Sequence, residues 1–120
     1  MFEETLEHVV ENTEGAVAGL LMDVEGIPVQ NYVRKGKPNP FDIEVVGAEF
    51  SVIVKSVQRT VESLEAGATR EVAVQAEKFT TIIRVISKDY FLALTMEPDG
   101  NFGKARYMLR VTAPKLLESL

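Results

Sequence analysis

Three β-forming runs lie almost back to back, TREVAVQAEK at 69–78, FTTIIRVIS at 79–87 and YFLALTMEP at 90–98. Turns this short cannot hold the crossover that parallel neighbours require, so the three strands must pair antiparallel. In the first run Val72, Val74 and Ala76 alternate with Glu71, Ala73, Gln75 and Glu77, which suits a strand at the rim of a sheet. The other two runs are apolar on both sides and read as central strands covered from above and below.

The segments before and after extend this sheet and cover it. Phe2, Leu6, Val9 and Val10 recur at helical spacing among glutamates, predicting an amphipathic helix over 2–14 that ends at Gly15. AVAGLLMDV and IPVQNYVR then read as the arms of a hairpin turning at Glu25 and Gly26. Ile27, Val29, Asn31 and Val33 form the more apolar side of its second arm, and Pro28 places that arm at a sheet edge. In RKGKPNPFD, Asn39 is the expected N-cap, Pro40 the first helical residue and Asp42 an acid in the first turn.

A long helix follows, with Ile43, Val46, Phe50, Ile53, Val54, Val57, Val61 and Leu64 in one apolar arc and Gly67 as its stop. Residues 102–120 give a last helix that Pro114 is expected to kink or divide. The predicted fold is an α/β, or α+β, sandwich of order α-β-β-α-β-β-β-α, a five-stranded antiparallel sheet with helices on both faces. At 120 residues this is expected to be one domain, 1–120.

Composition removes most chemistry. There is no cysteine and a single histidine, His8, too few soft ligands for a typical zinc site. The net charge of -5 opposes binding to nucleic acid. No apolar run approaches the ~18 residues of a membrane span, and the acidic start does not resemble a secretory signal, so a cytoplasmic protein without membrane insertion is expected. GAVAG lacks the basic residue and helix start of a phosphate loop, and DGN at 99–101 lacks the ligand series of a calcium loop. Asp23 and Glu25 read as turn carboxylates. No catalytic, cofactor-binding or metal-binding residue is expected, and no cofactor.

The outer side of the long helix is more informative. Val45, Val52 and Arg59 recur every seven residues, Glu49, Ser56 and Ser63 repeat beside them, and Ala48 is small and close by. A fully solvated face has no use for the two valines, so this stripe reads as a contact with another helix or protein. Lys55, Gln58, Arg59 and Glu62 border it as candidate polar contacts, and Val72 and Val74 make the 71–75 strand a candidate for pairing with its copy.

GAVAGLLMDVEGIPV at the first hairpin, the long helix, and ALTMEPDGNFGKARYMLR before the last helix occur here in one order. Together they resemble the roadblock family, the dynein light chain roadblock type, which includes the bacterial MglB-like regulators of Ras-like small GTPases. The resemblance implies a homodimer with edge-joined sheets and a GTPase-binding platform of paired second helices. It implies action by repositioning the partner's own catalytic groups, with no catalytic site in this chain. The chain stops soon after the last helix, without the carboxy-terminal extension of some MglB-like proteins. The alternatives are an adaptor of the light-chain kind with no effect on nucleotide turnover and, more distantly, a small-ligand sensor.

Overall fold

The computed structural model describes residues 1–36 and 41–120. Its elements are α1 (Phe2–Glu11), β1 (Ala16–Asp23), β2 (Pro28–Val33), α2 (Ile43–Ser63), β3 (Glu71–Gln75), β4 (Thr80–Val85), β5 (Tyr90–Met96) and α3 (Phe102–Leu117). The five strands form one antiparallel sheet in the order β2-β1-β5-β4-β3. The expected α-β-β-α-β-β-β-α sandwich is therefore present, with β2 and β3 at the two edges. β5 is the central strand, and Phe91 to Met96 are all buried because helices cover both sides of it.

Two cores result. On one face Leu6, Val9 and Val10 of α1 and Ala105, Met108, Leu109 and Leu116 of α3 pack on Leu21, Ile82, Leu92 and Leu94. On the other, Ile43, Phe50 and Val54 of α2 pack on Leu20, Met22, Ile83, Phe91 and Ala93. α2 can lie this close to β1 because position 47 is glycine. A Cβ there would sit 2.1 Å from Leu20 Cδ2 and 2.9 Å from Met22 Cε, well inside van der Waals contact.

Several boundaries differ from expectation. α1 ends at Glu11 with Asn12 as its C-cap, and Gly15 instead leads the chain into β1 at φ +86. Asp42 is the N-cap of α2, its side chain accepting from the backbone N–H of Glu44, so it stands outside the first turn. The expected roles of Asn39 and Pro40 lie outside the described residues. α2 stops at Ser63, before Gly67, because Glu65 already turns left-handed at φ 54. Pro114 does not divide α3, which runs unbroken through it. It lies one turn from the helix end on the exposed side, so the carbonyl that it leaves unpaired one turn back can reach water.

β2 departs in part from the expected sidedness, for of its apolar side only Val33 packs on the α2 core. Ile27 is 62% exposed and Val29 is also exposed, whereas Tyr32, on the side read as polar, is 8% exposed and joins the α1/α3 core. A tyrosine suits this place because its ring is buried while its hydroxyl donates to Glu11 Oε2 at 2.8 Å. That hydrogen bond, reinforced by burial, pushes the phenol pKa up to about 12. Pro28 sits where the β1–β2 register shifts, at the strand start, as its missing donor demands.

Arg34, just beyond β2, ties this edge to α1. Its Nε donates to the Ala16 carbonyl at 2.7 Å, and Nη2 donates to the carbonyls of Thr13, at 3.0 Å, and Val10. Nη1 reaches Glu11 Oε1 at 3.4 Å. One guanidinium thus adds hydrogen bonds to carbonyls at the end of α1 and in the passage to β1, two of which already accept a backbone N–H, and a cation there also suits the helix dipole. Arg34→Met keeps most of the stem and loses every donor. It is expected to lower the unfolding free energy by about 3 kcal/mol, since hydrogen bonds to charged groups are worth roughly 1.5–3 kcal/mol each. Urea denaturation measures this, and a loss below about 1 kcal/mol would mean that water replaces the guanidinium without cost.

Candidate protein-binding surface

α2 has three exposed or half-exposed sides, and each meets something different. Its β2 side is engaged within the chain. Asn31 Nδ2 donates to Glu44 Oε2 at 2.8 Å, and Lys55 Nζ pairs with Glu25 at 3.0 Å. Asp23 holds the same turn, its Oδ1 accepting from the N–H groups of Glu25 and Ile27. The two turn carboxylates thus fix the hairpin and dock its tip on α2.

The side facing directly outward is a ridge. Val45 is 59% and Val52 68% exposed, and Ala48, Glu49, Ser56, Arg59 and Ser63 beside them are also exposed. The structure brings these seven expected contact residues onto one continuous strip and covers none of them. Lys55 stands apart from it, committed to Glu25.

The third side overlooks β3. The last buried residue of α2 is Val54. Beyond it Val57 and Val61 are half-buried and Leu64 is exposed, as is Ile53 just before it. α2 packs over β1 and β2, so Val72 and Val74 of β3, although on the α2 side of the sheet with Phe79 and Val85, are only partly covered. Between helix and strand runs a cleft of about 600 Å³ lined by Val57, Val61, Ala68, Thr69, Arg70 and Glu71. Thr69 Oγ1, in the loop beside it, is buried with no hydrogen-bond partner among the described residues. Among the described residues β3 pairs only with β4, so its other backbone edge is open.

Periodicity assigns Ile53, Val57 and Leu64 to the core arc, whereas the structure leaves Ile53 and Leu64 exposed and sets Val57 in the cleft beside β3. A signal for this is present in the element lengths. A helix of 21 residues spans about 31 Å. β3, with five residues, covers only about 17 Å.

Elsewhere, the residues set aside as chemistry have local roles. Asn101 caps α3, its Oδ1 accepting from Lys104 N–H at 3.0 Å, and His8 Nδ1 lies 3.1 Å from Asn12 Nδ2. Among the described residues no cluster of three or more His, Asp or Glu side chains is placed to hold a metal ion, and no helix is long and apolar enough to cross a membrane.

The strand order, the lone helix on one face and the helix pair on the other define a roadblock-type domain. The Roadblock/LC7 domain from Streptomyces avermitilis superposes with a TM-score of 0.85 at 11% identity, covering 98% of this chain and 95% of that one. The gliding protein MglB from Thermus thermophilus gives 0.81 at 19% identity, over 92% and 81% of the two chains. At these identities the likeness shows the fold alone. MglC from Myxococcus xanthus is 39% identical over 99% of this chain and 98% of its own, with a TM-score of 0.72. The chain belongs to the roadblock-type family that MglC represents. No protein-family model matches it, and neither does any curated protein.

Proposed function

We propose that this chain is a single-domain cytoplasmic regulator of a Ras-like small GTPase, acting as a homodimer and holding no catalytic group of its own. The observation that carries the reading is the pair of uncovered apolar surfaces on α2, the outward ridge and the shelf over β3. A second copy of the chain fits the shelf, since pairing β3 with its copy closes both open edges and brings each α2 over the other's Val72 and Val74. The two ridges then lie side by side as the platform for the GTPase. Binding there shifts the population of the GTPase's mobile switch segments toward the hydrolytic arrangement, while the nucleotide and the catalytic groups stay in the partner. The sequence resemblance to MglB-like regulators of Ras-like GTPases supports the same partner class.

The test is single-turnover GTP hydrolysis by the Ras-like GTPase that co-purifies with this chain. Adding the chain is expected to raise the rate at least about ten-fold, or about 1.4 kcal/mol of barrier. Val52→Glu on the ridge is expected to abolish the effect. Tight binding with an unchanged rate would instead assign the ridge to an adaptor, the reading that the light-chain members of the family favour. No binding at all would end both.

A further inference from the structure

The helical face of the sheet, opposite α2, is divided electrically. On α1 the exposed Glu3, Glu4, Glu7 and Glu11 fall at three- and four-residue spacing and form one acidic stripe. Glu3 and Glu7 border, with Asn31, Tyr32 and Lys35, a cleft of about 320 Å³ at the β2 edge. At the other edge Arg84 of β4 and Arg106, Tyr107 and Arg110 of α3 surround a second cleft, of about 310 Å³, with Glu71 and Gly103. Gly103 leaves a notch there, since a Cβ at that position would meet nothing nearer than Asn101 Oδ1 at 3.8 Å. Arg106 pairs with Glu71 at 3.0 Å, and the Arg110 guanidinium lies over the Tyr107 ring at 5.7 Å. Three arginines against one glutamate leave this cleft basic in a chain whose net charge is -5.

Like charges four residues apart on a helix repel, by roughly 0.2–0.5 kcal/mol per pair. Both stripes carry that cost, Glu3 with Glu7 and Arg106 with Arg110, so each gains from an opposite stripe laid across it. The strand order fixes where such a stripe can come from. β2 and β3 are separated by four strand spacings, so the acidic and basic clefts lie on one face about 19 Å apart. Rotation by 180° about an axis in that face and parallel to the strands exchanges the two edges. A second copy placed this way lays its acidic stripe on the first copy's basic cleft and its basic cleft on the first copy's acidic stripe. One self-complementary contact satisfies both.

We propose that the α1/α3 face binds a second copy of this chain, through two equivalent contacts between the Glu3 and Glu7 stripe of each copy and the Arg106 and Arg110 cleft of the other. The contact lies on the opposite side of the sheet from α2 and does not depend on the function proposed above. Tyr107 and Arg110 are residue types that anchor interfaces. The charge pairs stay near solvent, so the association is screened by salt, with a range of ~10 Å at 0.1 M.

Sedimentation velocity from 5 to 200 μM tests this, in the unaltered chain and in Ile53→Glu, which places a charge on the α2 shelf. In 20 mM salt Ile53→Glu is expected to gain a species of twice the mass seen in 500 mM salt, and the unaltered chain, whose dimer carries two such faces, to gain species of several dimers, with the association constant falling at least about ten-fold between the two conditions. Arg106→Glu/Arg110→Glu makes both stripes acidic, and Glu3→Arg/Glu7→Arg makes both basic. Each variant alone is expected to lose the larger species, and an equimolar mixture to recover it. Arg110→Glu alone, which leaves the Arg106–Glu71 pair intact, is expected to show part of the loss, and circular dichroism checks that every variant is folded. A mass independent of salt, or a mixture of folded variants that fails to associate, overturns the proposal. So does capture of added poly-glutamate without self-association, which would assign the basic cleft to some other acidic chain.

Discussion

Gly15→Ala is expected to cost the protein about 2–5 kcal/mol. Two independent effects combine. Gly15 has φ +86, where an L-residue pays roughly 1–2 kcal/mol for the approach of its Cβ to the backbone. Its Cβ would also stand 2.5 Å from Gly100 Cα, a backbone atom that cannot rotate away. The two glycines press together where β1 begins and the turn before α3 ends, and the contact is sealed by Glu97 N–H donating to the Gly15 carbonyl at 2.8 Å and Asn101 N–H to the Glu14 carbonyl at 2.9 Å. Forcing the segments apart loosens both hydrogen bonds, and overpacking of this kind costs another ~1–3 kcal/mol. Against a total stability of roughly 5–15 kcal/mol, the melting temperature should fall by about 10 °C or more. Gly67→Ala is the control, because it has the same φ of +86 and nothing within 4 Å of its added Cβ. It should lose only the conformational part, about 1–2 kcal/mol. Equal losses at the two positions would show that the contact with Gly100 contributes nothing.

The same glycine shows where sequence reasoning reaches its limit. Gly15 marked a boundary correctly, but as the approach to a strand rather than a helix stop, because its reason is a backbone 85 residues away. Element order, antiparallel pairing and the two edges were legible, since alternation, turn length and Pro28 are local signals. The burial of Tyr32 on the more polar side of β2 was not. Tyr32 is buried through a hydroxyl contact with Glu11 and the cover of α1, and Arg34 through carbonyls of residues 10 to 16. Nothing within β2 announces either partner. Gly47 carries no local signal for the same reason, since its necessity comes from Leu20 and Met22 on the strand beneath it.

On the candidate surface the heptad recurrence of Val45, Val52 and Arg59 was enough to place those residues on one exposed ridge, because helical geometry alone decides which positions share a side. It could not show how far α2 outruns its sheet. The apolar arc was continuous to Leu64, and periodicity distinguishes core from surface only while something covers the arc. Here the cover ends at Val54, so the residues from Ile53 to Leu64 divide between core and shelf according to the position of β3.

That division sets the second large effect. Ile53→Glu is expected to convert the proposed homodimer to monomers, with a loss of affinity on the order of 10³-fold. Ile53 is 39% exposed in the isolated chain, so a glutamate there keeps its hydration and folding is little changed. With a second α2 laid over β3 the same carboxylate is taken out of water against Val57, Val72 and Val74. An unpaired buried charge costs several kcal/mol, and about 4 kcal/mol corresponds to that thousand-fold change. Sedimentation in 500 mM salt, which suppresses contacts between the charged stripes of the other face, reads the mass directly. Ile53→Met, similar in volume and apolar, should stay dimeric, and Glu49→Lys on the outward side should change the mass little. A dimer that survives Ile53→Glu would place its seam away from the shelf, and the ridge would then have to meet its GTPase as a single helix rather than as a pair.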